Sequence, residues 1–391
     1  MSRRSKGEGT ILQLPDGRWR ARITIDGKTV TRDRTSRQAA EQALRDLREH
    51  ALLGTVPSSW TLRQWIVHYL DTIADHAPTT RAGYDTTLRA HITPNIGGIR
   101  LEKLKPEHLE GLYKSMRDGT YKTHKLKSGK YATPNKLAGA TIHITHALLH
   151  RALKVAAQRG HVTRNVAEFV QPPRASAPKT TTLSVESSRR ILQQAITGGE
   201  GARWAIALML GIRPGEALGL AWDCIDGDRI EIRQQLQQVT GRGLELRRLT
   251  KTDKSRRWIP LPDVIVQLLE QQRQAQLQWM IEEGDKWETW TPPDSENPLL
   301  MIFTDHRGTP ITPRQDGKLW ARLLERAGVP HTRRYTARHT AASLLISEGV
   351  DIPVVAERLG HKDAAFTMRT YVHPVDEKQR AANDAISRLL G

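Results

Sequence analysis

Apolar and polar residues alternate along residues 10–31, and this pattern predicts β-strands that bury one face. An Asp-Gly dipeptide begins at Asp16 and another at Asp26, one hairpin apart, so the segment predicts a three-stranded meander. The hydroxyl of Ser36, or that of the threonine before it, can cap a helix that follows. The predicted first unit, residues 1–55, is therefore a small sheet with one helix on one of its faces.

From residue 60 to 170 the apolar residues recur every three or four positions, which is typical of amphipathic helices. Thr61 and Pro106 mark predicted helix starts, and Gly119 marks a predicted stop. The pattern predicts a helical domain over residues 58–172.

A proline-rich polar stretch, residues 173–184, has the composition of a linker. The remaining residues, 185–391, combine several helical patterns with short strand-like segments. The expected fold is therefore mainly α with small β-sheets, an α+β organisation in two or three domains.

The chain carries 60 lysines and arginines against 42 aspartates and glutamates, a formal net charge of +18. Such a basic chain favours a polyanionic partner, because each contacted phosphate releases condensed counterions. An ordinary solvated basic surface is the alternative.

Two groups of basic residues are candidates for DNA contacts. One lies on the face of the predicted meander opposite its helix, or on its rim: Arg18, Arg20, Arg22, Arg32 and Arg34. The other lies in a polar segment between two predicted helices: Lys125, Lys127 and Lys130. The alternatives are an accessory domain with solvated arginines and a disordered surface insertion.

Cys224 is the single cysteine, so neither an internal disulfide nor a cysteine-rich zinc site is expected. The N-terminus lacks an apolar signal stretch, and no run of about 18 apolar residues occurs. These features predict a soluble protein of a reducing compartment, with no membrane association.

Arg213 and Glu216 stand at a predicted junction between two helices. A guanidinium there can point into a cleft and hold two phosphate oxygens, since its planar fork matches them. Glu216 lies one helical turn further on and can orient it. The alternative is a local ion pair that fixes a turn.

Lys251 precedes the turn of a predicted hairpin whose second strand ends at Pro260. A lysine ammonium on such a loop can donate a proton to a leaving oxygen. Without partners elsewhere, a solvated hairpin tip is the default interpretation.

A third group lies in residues 333–374, where a helix is predicted from Thr336 to Gly349 and another from Pro353 to Gly360. The group consists of Tyr335, Arg338, His339, His361 and Tyr371.

Taken in order, these motifs resemble those of the tyrosine recombinase family, the phage integrases and their relatives. The family pattern is an arginine in a G-x-R-x-x-E box, a lysine on a hairpin, an H-x-x-R-H box, then L-G-H and a tyrosine. The matching residues here are Arg213, Glu216, Lys251, Arg338, His339, His361 and Tyr371. The helical segment resembles the family's core-binding domain, and the N-terminal meander resembles its arm-binding domain.

The resemblance implies an enzyme that cleaves and rejoins DNA through a 3′-phosphotyrosine at Tyr371. Arg213 and Arg338 would clamp the phosphate, with donors from His361 and His339, and Lys251 would protonate the leaving oxygen. Neither a metal nor another cofactor is expected.

The resemblance also implies partners and a setting. These are core-type and arm-type DNA sites, a tetramer on DNA with a docking C-terminal tail helix, an excisionase and a host DNA-bending protein. The expected location is the bacterial cytoplasm, with the gene carried by a phage or another integrative element.

Two positions depart from the family pattern. Tyr335 stands where the H-x-x-R-H box begins with histidine, and a phenol is a poorer acid-base group near neutral pH. Tyr371 follows His361 by ten residues rather than the commoner nine, which would rotate a helical side chain by about 100°.

Two other functions fit parts of the sequence. The segment from Arg338 to Phe366 resembles a helix-turn-helix with Gly349 in its turn, as in a non-catalytic DNA-binding regulator. A type IB topoisomerase would share the tyrosine nucleophile and the basic clamp.

Overall fold

The computed structural model describes residues 9–25, 28–52, 60–124, 129, 134–174, 181–249, 256–361, 363–371 and 386–388. The chain divides into two compact units, an N-terminal unit, Met1–Ala177, and a C-terminal unit, Pro178–Gly391. The division falls inside the predicted linker, residues 173–184. The finer division into a 1–55 and a 58–172 domain stays a prediction.

The N-terminal unit begins with an antiparallel meander of β1 (Thr10–Gln13), β2 (Trp19–Ile25) and β3 (Lys28–Arg34). Helix α1 (Arg37–Leu52) packs its apolar side on one face of the sheet, against Ala21 and the other apolar residues of β2. The sheet and helix agree with the prediction. Alternation along β2 causes this packing, because every second residue faces the helix.

Helices form the rest of this unit: α2 (Leu62–His68), α3 (Pro78–Thr87), α4 (Pro106–Asp118) and α5 (Gly139–Gln158). The Thr61 hydroxyl caps α2, and Gly119 ends α4 with φ 74°, as the sequence predicts. Trp65 is fully buried and donates from Nε1 to the Ala152 carbonyl at 2.8 Å, which ties α2 to α5.

The C-terminal unit is also mainly helical. Its helices are α6 (Val185–Thr197), α7 (Gly201–Ala205), α8 (Pro214–Leu218), α9 (Asp263–Glu283), α10 (Pro313–Arg326), α11 (Tyr335–Ser347), α12 (Ile352–Leu359) and α13 (Ala364–Tyr371). Its strands are β4 (Ile225–Asp226), β5 (Arg229–Ile232), β6 (Gln234–Val239), β7 (Gly243–Arg248) and β8 (Arg257–Pro260). The predicted α+β class is confirmed.

Strand pairing differs from the hairpin that was expected around Lys251. β7 pairs with β6, and β8 pairs with β5, so β7 and β8 belong to two different sheets. The close turn after Val239 brings β6 and β7 together, and this leaves β8 to pair with β5. Lys251 itself lies outside the described residues.

In the part of the chain that the structure describes, no helix is both long and apolar enough to cross a membrane. The predicted tail helix falls outside the described residues except for 386–388, which are helical.

Candidate active site

Two arginines of the C-terminal unit are held by backbone carbonyls at helix ends. Arg338, on α11 and only 2% exposed, donates from Nη1 to the Gly211 carbonyl at 2.8 Å and from Nη2 to the Leu359 carbonyl at 2.7 Å. Arg213, just before α8, donates from Nη2 to the Gly360 carbonyl at 2.8 Å. Helix C-terminal carbonyls have no partner inside the helix, so they are free to orient cations.

Gly211 allows this arrangement for two reasons. It ends the helical turn Ile206–Leu210 in the left-handed conformation, with φ 66°, where a side chain is strained. A Cβ there would lie 3.0 Å from the side chains of both Ala341 and Leu359, so only glycine lets α11 approach so closely. The close approach places the Gly211 carbonyl against Arg338.

Glu216 is a buried carboxylate shared by two arginines. It accepts from Arg213 Nη1 at 2.6 Å and from the Arg213 backbone N–H at 2.9 Å. It also accepts from Arg257 Nη2 at 3.0 Å. Arg257 in turn donates from Nε to the Arg358 carbonyl at 2.6 Å, so one side chain joins β8, α8 and the end of α12.

Arg257 is a site residue that the sequence did not single out. The available signal was strand alternation, since Arg257 shares the inward face of β8 with Ile259 while Trp258 points outward. A charged residue at an inward position requires a partner, and Glu216 provides it.

Burial and charge set opposite pKa shifts for the two arginines of the predicted phosphate clamp, Arg213 and Arg338. Burial lowers the pKa of Arg213, but the Glu216 carboxylate outweighs this effect and leaves the pKa above its usual value. Burial, followed by repulsion from Arg213, lowers the pKa of Arg338 to about 10. Both side chains stay cationic at neutral pH, as a phosphate clamp requires.

Tyr371 ends α13 inside this site and is 8% exposed. Its hydroxyl lies 2.9 Å from Nδ1 of His339, and its ring lies parallel to that of His361 with centroids 6.2 Å apart. Burial raises the pKa of Tyr371, although Arg338 partly opposes the shift. The ten-residue spacing after His361 is accommodated, because α13 begins only at Ala364.

His361 is fixed by a buried threonine. Its Nδ1 lies 2.7 Å from Thr367 Oγ1, one turn before Tyr371 on α13. Burial, followed by Arg338 and Arg213, lowers the pKa of His361 to about 4. The imidazole is therefore neutral near pH 7, and its Nε2 is left to act on a ligand.

Tyr335 begins α11 and is 43% exposed, with its ring 5.7 Å from that of His339. Both residues line an open cleft of about 1000 Å³. The cleft is also lined by Thr181, by Pro214 at the start of α8, and by four residues that precede α11: His331, Thr332, Arg333 and Arg334. Of the predicted site residues, Tyr335 and His339 line this cleft, and Tyr371 adjoins it through its contact with His339.

A buried carboxylate supports the start of α11. Asp316 accepts from Arg203 Nε at 3.0 Å and Nη2 at 2.9 Å, and it also accepts from Arg334 Nη1. Because Arg334 immediately precedes Tyr335, this network fixes the first turn of the helix that carries Arg338.

The predicted DNA-contacting residues are only partly described. The lysines of the polar segment lie outside the described residues: Lys125, Lys127 and Lys130. In the meander, Arg18 pairs with Asp16, and Arg20 makes a bidentate pair with Asp33 at 2.6 and 2.7 Å.

The other meander arginines divide between the two faces. Arg22 lies on the face away from α1, with Thr31 opposite it, whereas Arg32 and Arg34 stand opposite Ala21 and Trp19 on the helix side. The role of the first of these faces in DNA binding stays a prediction.

Comparison with known proteins identifies the family. The model of the phage integrase family matches residues 181–378, just over half of the chain, and that of the phage integrase N-terminal SAM-like domain matches residues 61–117. The chain belongs to the phage integrase family, the tyrosine recombinases, enzymes that cleave and rejoin DNA. It is a site-specific recombinase, as the motif order predicts.

Relatives and solved structures agree with this assignment. An integrase of Saccharopolyspora erythraea is 28% identical over 99% of this chain and 97% of its own length. An integrase of Streptomyces ambofaciens is 25% identical over 98% of this chain and 97% of its own length.

Two solved structures share the fold. The Tn1549 transposon integrase, in complex with a circular intermediate DNA, has a TM-score of 0.67 at 18% identity, over 84% of this chain and 100% of its own. The lambda integrase tetramer bound to a Holliday junction has a TM-score of 0.57 at 15% identity, over 96% of this chain and 99% of its own.

Proposed function

We propose that this recombinase opens DNA with the hydroxyl of Tyr371, which attacks the scissile phosphorus and forms a 3′-phosphotyrosine bond. The 5′ oxygen leaves as a free hydroxyl, and its attack on the phosphotyrosine reseals the strand, so the bond energy is conserved. The observation that supports the proposal is the position of Tyr371. Its ring is buried, interacts with Arg338 and lies parallel to the ring of His361.

Arg213 and Arg338 are the proposed clamp on the two non-bridging oxygens. Negative charge gathers on these oxygens in the transition state, and fixed cations stabilise it without reorganising. Because carbonyls and Glu216 already hold both guanidiniums, the clamp is preorganised before DNA binds. His361 supplies a third donor from Nε2.

Two roles are carried over from the family resemblance. Lys251 protonates the leaving 5′ oxygen, and Tyr335 donates a hydrogen bond to the phosphate from the rim of the cleft. The 43% exposure of Tyr335 supports its placement at the rim.

The proposed biological reaction is integration and excision between attachment sites, by four protomers on core-type DNA with the meander bound to arm-type sites. The helical segment 58–172 would bind the core site, and an excisionase and a host DNA-bending protein would control direction. Full-length likeness to bacterial integrases supports a gene carried by a phage or another integrative element, with its product acting on the bacterial chromosome in the cytoplasm.

The experiment that tests the nucleophile uses a nicked suicide substrate carrying the attachment site, which traps the covalent intermediate. Wild-type protein is expected to give a DNA adduct that survives denaturation, and Tyr371→Phe is expected to bind the site without forming it. Tyr113→Phe is the matched control, since Tyr113 is a buried tyrosine of the other unit. An adduct in Tyr371→Phe, or none in the wild type, contradicts the proposal.

A further inference from the structure

We propose that His339 is the general base that takes the proton from Tyr371 as its hydroxyl attacks the phosphate. The inference rests on the proposed role of Tyr371 and assigns His339 a different function from the phosphate donor that the sequence predicts.

The geometry that carries the proposal is the short contact between the two side chains. His339 Nδ1 lies 2.9 Å from the Tyr371 hydroxyl oxygen, within the range of a direct proton transfer. The two rings are 5.5 Å apart at 50°, so the nitrogen meets the hydroxyl rather than the ring face. His339 follows the buried Arg338 on α11, and the packing of Arg338 therefore fixes the position of the His339 ring.

The other groups around Tyr371 are poor proton acceptors. Arg338 is a cation, and His361 lies parallel to the phenol ring with its Nδ1 engaged by Thr367. Tyr335 contacts His339 from the preceding turn but is a phenol, which is not basic near neutral pH. Among the described residues, His339 is therefore the candidate that both contacts the Tyr371 hydroxyl and can accept a proton from it.

The protonation states of the pair fit a base and its acid. Burial, followed by repulsion from Arg338, lowers the pKa of His339, so the ring is neutral near pH 7 and can accept a proton. Burial raises the pKa of Tyr371, so its hydroxyl stays protonated and needs a base before it can attack. Arg338 and Tyr335 on α11 and Tyr371 on α13 are the titratable groups that face His339.

The proton count is complete in both directions. On cleavage, the Tyr371 oxygen bonds to phosphorus and its proton moves to His339 Nδ1, while the bond from phosphorus to the 5′ oxygen breaks and this oxygen takes a proton from the proposed acid, Lys251. On resealing, the 5′ hydroxyl attacks and gives its proton back to Lys251, while the phenolate leaves and takes the proton back from His339. The second histidine of the H-x-x-R-H box thus provides a base, whereas the first position of the box is Tyr335.

The test measures the rate of adduct formation as a function of pH with His339→Asn. Asparagine places an amide oxygen near the former Nδ1, so it keeps a hydrogen-bond acceptor but removes the basicity. The DNA substrate carries a sulfur at the 5′ bridging position of the scissile phosphate. Because a thiolate leaves without taking up a proton, the cleavage rate then reports on the general base and not on the general acid. His306→Asn is the control, since His306 is an exposed histidine of the same unit stacked on Trp279.

We expect His339→Asn to bind core-site DNA like the wild type and to form the adduct about 100- to 1000-fold more slowly near neutral pH. Its rate should then rise about tenfold per pH unit as the tyrosinate fraction grows, while the wild type stays nearly flat over the same range. His306→Asn should match the wild type. If His339→Asn does not bind DNA, His339→Gln replaces it with the same expectation.

Two results would overturn the assignment. One is a variant that cleaves as fast as the wild type near neutral pH, and the other is a loss by the same factor at every pH, which marks a structural role only. Both results can be told apart from a wrong assignment of Tyr371 as the nucleophile, because in that case the wild type itself forms no adduct.

Discussion

Arg257 and Glu216 form a buried ion pair, with Nη2 and Oε2 separated by 3.0 Å and both side chains less than 5% exposed. Because the same carboxylate also holds Arg213, an arginine on β8 helps to fix one of the two arginines of the predicted phosphate clamp, just before α8. The clamp therefore depends on a strand that is remote from it in sequence.

Replacing Arg257 by methionine is expected to lower the free energy of unfolding by about 3 kcal/mol, because one partner of a buried pair is lost. The rate of adduct formation should fall as well, since Glu216 is freed to shift. Urea unfolding and the suicide-substrate assay measure the two effects. Arg229→Met is the control, since its pair with Asp226 is exposed and should contribute no more than about 1 kcal/mol. Equal losses in the two variants would contradict the predicted role of Arg257.

Replacing Gly211 by alanine is expected to destabilise the C-terminal unit and slow cleavage. The left-handed conformation alone costs about 1 kcal/mol, and the contacts with Ala341 and Leu359 add to it. Gly227→Ala separates the cost of the left-handed conformation from the cost of the steric contacts. Gly227 has φ 59°, and a Cβ there would meet no atom within 4 Å. Urea midpoints should therefore drop further for Gly211→Ala. A match between the variants would mean that α11 does not need the close approach.

Replacing Arg334 by glutamine is expected to slow adduct formation at saturating DNA by about tenfold, a loss of roughly 1.4 kcal/mol of transition-state stabilisation. The physical reason is the loss of the contact with Asp316 that fixes the first turn of α11. Asp316 keeps its bidentate pair with Arg203, so the fold is preserved. Single-turnover rates over a range of DNA concentrations separate this effect from weaker binding. An unchanged maximal rate would exclude a positioning role.

Mild acid is expected to destabilise the C-terminal unit. The pKa of His361 is about 4 in the folded protein against the ordinary value of 6.5. Between these values the unfolded chain binds more protons than the folded one, so the free energy of unfolding falls as the pH drops through this window. His361→Asn, which keeps an acceptor for Thr367, should lose less stability from pH 6.5 to pH 4 when urea midpoints are compared. An equal acid loss in the variant would show that His361 does not contribute.

Local features were predictable from the sequence pattern, whereas long-range ones were predictable only where the family resemblance implied them. The caps of α1 and α2 and the stop at Gly119 depend on neighbouring residues, and they appear as predicted. The motif residues around Arg338 also meet as expected.

Arg257 was missed because its importance comes from a carboxylate 41 residues earlier in the chain. The direction of His339 depends on how α11 packs against α13, and neither helix specifies this alone. The pairing around Lys251 was predicted wrongly, since two strands next to each other in sequence pair with different neighbours.

The carbonyl acceptors of the clamp belong to residues far apart in the chain. Gly211 precedes the arginine Arg213, whereas Leu359 and Gly360 come almost 150 residues later, shortly before Tyr371. A growing chain that has not yet reached α12 therefore contains both guanidiniums without the Leu359 and Gly360 acceptors and without Tyr371. Under the proposed mechanism, such an incomplete chain is expected to be unable to cut DNA.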